Sequence, residues 1–229
     1  MTVMLVRHGR SHANTSGLLA GRTEAVSLDE RGLEQSVALA ARLRGVPIRT
    51  IVCSPLLRCQ QTVDPLAQEL GLEPVPDTRL IEVDYGEWTG RPLTDLVKEP
   101  LWAVVQQHPS AVVFPGGESL AQVQARAVAA VREYDRALAE ANGGDALWIA
   151  CTHGDVIKSI VADALGLHLD GFQRIIVEPA SVSVVRYTAT RPFLYHLNDS
   201  GSDFAHFAPR EKPGAANASD AVVGGDVPR

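Results

Sequence analysis

Histidine and arginine recur at three points of this sequence, each time just after a short apolar run. Arg7-His8 follows residues 3–6, Arg58 lies a few positions beyond residues 50–53, and His153 follows residues 146–151. Two arginines with two histidines suit a compact anion. The planar guanidinium fork matches the oxygens of a phosphoryl group. Neighbouring cations disfavour protonation of an imidazole, which leaves it neutral and nucleophilic near pH 7. Phosphoryl transfer asks mainly for positioning and charge stabilisation, but a departing alkoxide needs a proton. Glu82 is the candidate donor, with Asp84, Glu87 and Glu118 as nearby alternatives. The arginines favour its carboxylate form, so the acid is expected to become competent once a bound dianion counteracts them.

For these side chains to meet, the apolar runs must be neighbouring strands. Residues 3–6, 50–53 and 146–151 read as buried strands. Ser27-Leu28-Asp29-Glu30 has the capping-box pattern and opens a helix to about Arg44. Ser54-Pro55 reads as a cap followed by a first helical residue, which puts Arg58 in the first turn, off the apolar stripe; Gly71 closes that helix. Further helices are predicted over 94–107, 119–141 and 155–165, with residues 8–27 and 73–92 irregular. Strands are predicted at 175–177, 181–188 and 193–198, the last two as a hairpin. Strands alternating with helices make a three-layer α/β/α sandwich with a mostly parallel central sheet. Ligands of such sheets bind beyond the carboxyl ends of the strands, which is where all three groups fall.

Composition narrows the function. The net charge of −6 argues against general binding to nucleic acid or a membrane surface. Cys53, Cys59 and Cys151 offer neither a disulfide framework nor a zinc pattern and read as small buried hydrophobes. The remaining histidines, His12, His108, His168, His196 and His206, show no metal-ligand spacing, so neither metal nor cofactor is expected. No stretch resembles a signal-peptide core or a membrane span, and a cytoplasmic protein is the expectation. From about residue 205 the sequence turns to Ala, Gly, Pro, Asn and Asp without periodicity. The reading is therefore one domain over residues 1–204 and a disordered tail over 205–229.

Taken together, the motifs resemble a known family. Leu5-Val6-Arg7-His8-Gly9 with Ser11 and Asn14 is similar to the RHG signature of the histidine phosphatase superfamily, the phosphoglycerate-mutase-like proteins. Cys53-Ser54-Pro55-Leu56-Leu57-Arg58-Cys59-Gln60-Gln61-Thr62 resembles its SPLxRxxQT element. Leu80-Ile81-Glu82 through Tyr85-Gly86-Glu87-Trp88-Thr89-Gly90 resembles LxExxxGxWxG. Phe114-Pro115-Gly116-Gly117-Glu118-Ser119 and Thr152-His153-Gly154 complete the set in the family's order.

The resemblance implies a phosphomonoester hydrolase acting on small-molecule phosphates, without a metal, and leaves a homodimer open. It implies that His8 becomes phosphorylated, that Arg7, Arg58 and His153 hold the phosphoryl oxygens, that Asn14 and Gly154 line the same pocket, and that Glu82 protonates the leaving group and then helps water attack. Arg10 departs from the family, which usually has Glu or Gln there; it either favours a more anionic substrate or faces solvent. Leu18, Leu19, Trp102 and Phe114 are candidates for the pocket rim, and Trp88 for packing. Two other functions compete: a cofactor-dependent phosphoglycerate mutase, which the acidic loop Glu82–Trp88 disfavours, and a non-catalytic phospho-ligand binding protein, which the full set of catalytic residue types disfavours. A cysteine phosphatase loop is excluded because Cys53 and Arg58 are one residue too close.

Overall fold

The computed structural model describes residues 1–201; the expectation of a tail over 205–229 lies outside the described residues. In chain order the strands are β1 (Thr2–Arg7), β2 (Ile48–Cys53), β3 (Val75–Pro76), β4 (Leu147–Thr152), β5 (Val182–Tyr187) and β6 (Pro192–Asp199). The helices are α1 (His12–Ser16), α2 (Glu30–Arg42), α3 (Leu57–Leu70), α4 (Leu93–Leu96), α5 (Pro100–Gln107), α6 (Leu120–Asn142) and α7 (Gly154–Leu165). One sheet runs β3-β2-β4-β1-β5-β6. The β3–β2, β2–β4 and β4–β1 pairs are parallel, and β5 and β6 close one edge as an antiparallel hairpin.

Strand alternation divides the interior into two cores. Val3, Leu5, Val52, Trp148 and Ala150 face one side, against Val123, Ala127 and Val131 of α6 and Val156, Ile157 and Ile160 of α7. Val6, Ile51, Cys53, Ile149 and Cys151 face the other, against Leu39, Ala40 and Leu43 at α2 and Val63, Leu66 and Ala67 of α3. Because both faces are covered, the central strands read as continuous apolar runs. The result is the expected three-layer sandwich, and all three cysteines are buried thiols within it.

Several local expectations give way to tertiary contacts. The helix expected over 94–107 is two helices, because Pro100 removes an amide donor and holds Glu99 extended at ψ 139°. Helix α2 is capped by Asp29, whose side chain accepts from Gly32 N, and not by Ser27. Residues 8–27 are not all loop: Ser11 caps α1 in a reciprocal box with Asn14. Residues 175–177 are not a strand. The Val177 carbonyl accepts from Arg7 Nη1 at 2.7 Å in place of a ladder partner. The two-residue β3 falls in the stretch expected to be irregular.

Candidate active site

The carboxyl ends of β1, β4 and β2 lie level and adjacent. Arg7 registers with Thr152 and Cys53 with Cys151. Each chain then leaves its strand still tied to the next: His8 N donates to the Thr152 carbonyl at 3.0 Å and Ser54 N to the Cys151 carbonyl at 2.9 Å. The three sequence points thus converge. His8, Ser11, Asn14, Arg58 and Glu82 line one cleft, which Leu18, Leu19 and Leu93 border. Arg7, His153 and Gly154 are buried and do not line its open part; Gly154 begins α7.

The His8 ring is held in one tautomer. Its Nδ1 lies 2.7 Å from the Gly9 carbonyl, which can only accept, so the proton belongs on Nδ1 and the Nε2 lone pair is left for attack. Burial, then the charges of Arg58 and Arg7, push its pKa well below the usual value, so the ring is neutral at pH 7. His153 is depressed for the same first two reasons, burial and Arg58. Its Nδ1 accepts from Arg58 Nη2 at 3.2 Å, which makes Nε2–H the donor to Ser54 Oγ at 2.8 Å. The two imidazole centroids are 5.2 Å apart.

Arg58 is 1% exposed. Its Nη2 donates to the Gly21 carbonyl at 2.8 Å, while its Nε has no protein acceptor among the described residues. A buried guanidinium with an unused donor is a site for an anion.

Glu82 is buried, with Oε1 accepting from Val83 N at 2.9 Å and Oε2 3.8 Å from His153 Nδ1. Its pKa is pushed up to about 7. Burial is the main cause and Asp155 the second, and they outweigh Arg58 and Arg7. The expectation that the arginines hold it ionised until a dianion binds is therefore corrected: desolvation wins.

Two of the rival acids are otherwise engaged, and the third, Glu87, is exposed and does not line the cleft. Glu118 takes Arg126 and Arg22 at 2.7 and 2.8 Å, and Asp84 accepts from Gly86 N at 3.0 Å. Arg10 meets neither alternative considered for it; its Nε pairs with Asp29 at 2.6 Å and braces the loop after His8. Asn14 lines the cleft while its Oδ1 accepts from Ser11 N. Of the rim candidates, Leu18 and Leu19 border the cleft, but Phe114 and Trp102 are core, packed with Trp88 in one aromatic group. Trp88 is packing, as expected.

Four contributors carry no signal in the sequence. Ser54 reads as a helix cap, but α3 begins at Leu57 without a side-chain cap, and the Ser54 hydroxyl serves His153. Thr62 accepts from Gly9 N at 2.8 Å and donates to the Arg58 carbonyl, tying both motif segments together. Behind Glu82, Tyr85 donates to Asp155 Oδ2 at 2.8 Å, and Asp155 pairs with Lys158 at 3.1 Å. The Thr62 and Tyr85 side chains lie inside quoted motifs, but nothing in their spacing reveals a partner. No group of His, Cys, Asp or Glu among the described residues is arranged to hold a metal ion.

Comparison with known proteins places the chain among relatives. The family model described as histidine phosphatase superfamily (branch 1) matches residues 3–200. Phosphoserine phosphatase 1 of Hydrogenobacter thermophilus is 28% identical over 86% of this chain and 91% of its own. A probable phosphoglycerate mutase of Yersinia pestis is 31% identical over 90% of this chain and 94% of its own. Among solved structures, a mycobacterial glucosyl-3-phosphoglycerate phosphatase aligns with a TM-score of 0.78 at 27% identity, covering 86% of this chain and 98% of that one.

Proposed function

The chain belongs to the histidine phosphatase superfamily, branch 1, and from that premise we propose how its own residues hydrolyse a small-molecule phosphomonoester. The observation that carries the reading is His8, its Nδ1 bound to the Gly9 carbonyl and its Nε2 left for attack, lining one cleft with a buried Arg58 donor and the buried Glu82 carboxyl. His8 Nε2 attacks phosphorus as the P–O bond to the alcohol breaks. The Glu82 proton passes to the leaving oxygen, and Arg58 and Arg7 offset the charge on the phosphoryl oxygens. Water then attacks the phosphohistidine, the ionised Glu82 takes its proton, the P–N bond breaks and inorganic phosphate leaves. Asn14 lines the phosphoryl site, and His153 acts on it through Arg58, which it holds at 3.2 Å. The amino end of α7 at Gly154 adds favourable dipole. Residues 1–204 are the catalytic unit in this reading, and its setting is the cytoplasm.

Quenching the full-length protein with substrate at alkaline pH is expected to trap one acid-labile phosphoryl group. His8→Ala is expected to lose both the trapped group and turnover; trapping that survives in the variant assigns the nucleophile elsewhere. A mutase would have to hold a second phosphate. Assay with 3-phosphoglycerate and a bisphosphate primer is expected to yield inorganic phosphate and no isomer.

A further inference from the structure

The mouth of the cleft is a built apolar collar. Two loops are stitched together there: Leu19 N donates to the Arg91 carbonyl at 3.0 Å, Gly90 N to the Leu19 carbonyl at 2.7 Å, and Leu93 N to the Gly17 carbonyl at 2.9 Å. These bonds fix Leu18, Leu19 and Leu93 in the lining of the cleft that also holds His8 and Glu82. Leu18 is 37% exposed, which leaves part of its side chain to meet a ligand. The basic residues of the same segments are neutralised by carboxylates. Arg10 pairs with Asp29 at 2.6 Å, Arg22 with Glu118 at 2.8 Å, and Arg91 with Glu99 at 2.6 Å. Arg22 also donates to the Glu82 carbonyl at 3.0 Å, which fixes its guanidinium to the loop. The arginines that act on His8, Arg7 and Arg58, belong to the phosphoryl end of the site.

We propose that this collar selects phosphomonoesters whose alcohol part is uncharged and apolar, an alkyl or aryl group, over those carrying a carboxylate or second phosphate beside the ester. The proposal rests on the phosphatase reading and deepens it. An apolar group entering the mouth exchanges water for Leu18 and Leu93. A carboxylate there gives up water and gains no unpaired cation from the segments named. In the proposed mechanism the ester oxygen lies toward Glu82, which lines the same cleft as Leu18, Leu19 and Leu93, so the alcohol part meets those leucines.

The test is kcat/KM of the full-length protein for ethyl, butyl and hexyl phosphate, with 3-phosphoglycerate, phosphoserine and p-nitrophenyl phosphate alongside. A fully buried methylene is worth roughly a fourfold change. About twofold for each half-buried one gives roughly a ten- to twentyfold rise from ethyl to hexyl, carried by KM. Leu18→Ala and Leu93→Ala are expected to flatten that rise. Leu18→Arg is expected to shift preference from hexyl phosphate toward 3-phosphoglycerate by about tenfold; melting temperatures confirm that each variant is folded.

A flat series, a preference for the charged substrates in the unaltered protein, or a rise that persists in both alanine variants overturns the collar. The phosphatase reading survives those outcomes if p-nitrophenyl phosphate is still turned over through His8. Absence of any His8-dependent phosphate release overturns both.

Discussion

At the residue scale, the site turns on proton inventory. Glu82 titrates near pH 7, and in the mechanism proposed it must carry its proton for the first chemical step. His8 must be neutral, and it remains so well below pH 6.5. With an alkyl phosphate, kcat for phosphoenzyme formation is therefore expected to be flat through mildly acidic pH and to fall as pH rises through about 7. A nitrophenolate leaves without help, so p-nitrophenyl phosphate is expected to lack that fall. Glu82→Gln is expected to cost about 10²–10⁴-fold on the alkyl ester and far less on the aryl one; equal losses would confine Glu82 to shaping the pocket. Asp155 helps keep Glu82 protonated. Asp155→Asn should therefore move the alkaline fall to lower pH, and an unmoved limb would show that burial alone sets it.

At the element scale, loops after strands are held by backbone approaches that only small residues permit. A Cβ on Gly32, in the first turn of α2, would stand 2.0 Å from the Arg10 carbonyl in the loop that follows His8. Gly32→Ala is expected to cost about 1–3 kcal/mol of stability and to displace His8, lowering kcat; calorimetry and turnover read the two effects. Gly86, at φ 53°, and Gly117 interlock the loop carrying Glu82 with the one preceding α6, where a Cβ would meet the Pro115 and Asp84 carbonyls at 2.1 and 2.2 Å. The capping box at Ser119 and Gln122 fixes where α6 begins. Ser54→Ala leaves the buried His153 Nε2 without its acceptor, at a cost of about 1–3 kcal/mol. A purely local capping role would instead leave turnover unchanged while the melting temperature drops.

At the scale of the whole molecule, the buried site gives stability a pH dependence. Unfolded, His8 and His153 take up protons below about pH 6.5; folded, both stay neutral to lower pH. Each therefore makes the fold less stable as pH falls below 6.5. Glu82 acts oppositely, since the folded protein holds its proton from about pH 7 down to the usual 4.5 while the unfolded chain does not. Two histidines outweigh one glutamate, and below pH 6.5 a net loss of about 1.4 kcal/mol per pH unit per uncompensated proton is expected. Melting temperatures that rise on acidification from pH 6.5 to 5 would contradict this balance. Dialysis against a strong chelator is expected to leave activity intact, and truncation after Ala208 is expected to leave turnover in place, since the catalytic unit proposed ends before it.

The sequence alone determined strands at about residues 3–6, 50–53 and 146–151, because burial on both faces demands continuous apolar runs. It also determined which residue types stand just past those ends. Those two facts point to an anion site beyond the carboxyl ends of the central strands. What it could not determine lies in contacts between residues far apart in the chain. Burial, with the Asp155 carboxylate behind it, raises the Glu82 pKa against the pull of the adjacent arginines. Asp29 claims Arg10, and His153 claims Ser54 from the helix it precedes. Capping and periodicity are local rules, whereas a buried polar group takes whichever partner the fold brings within hydrogen-bond reach, and only the tertiary structure names that partner.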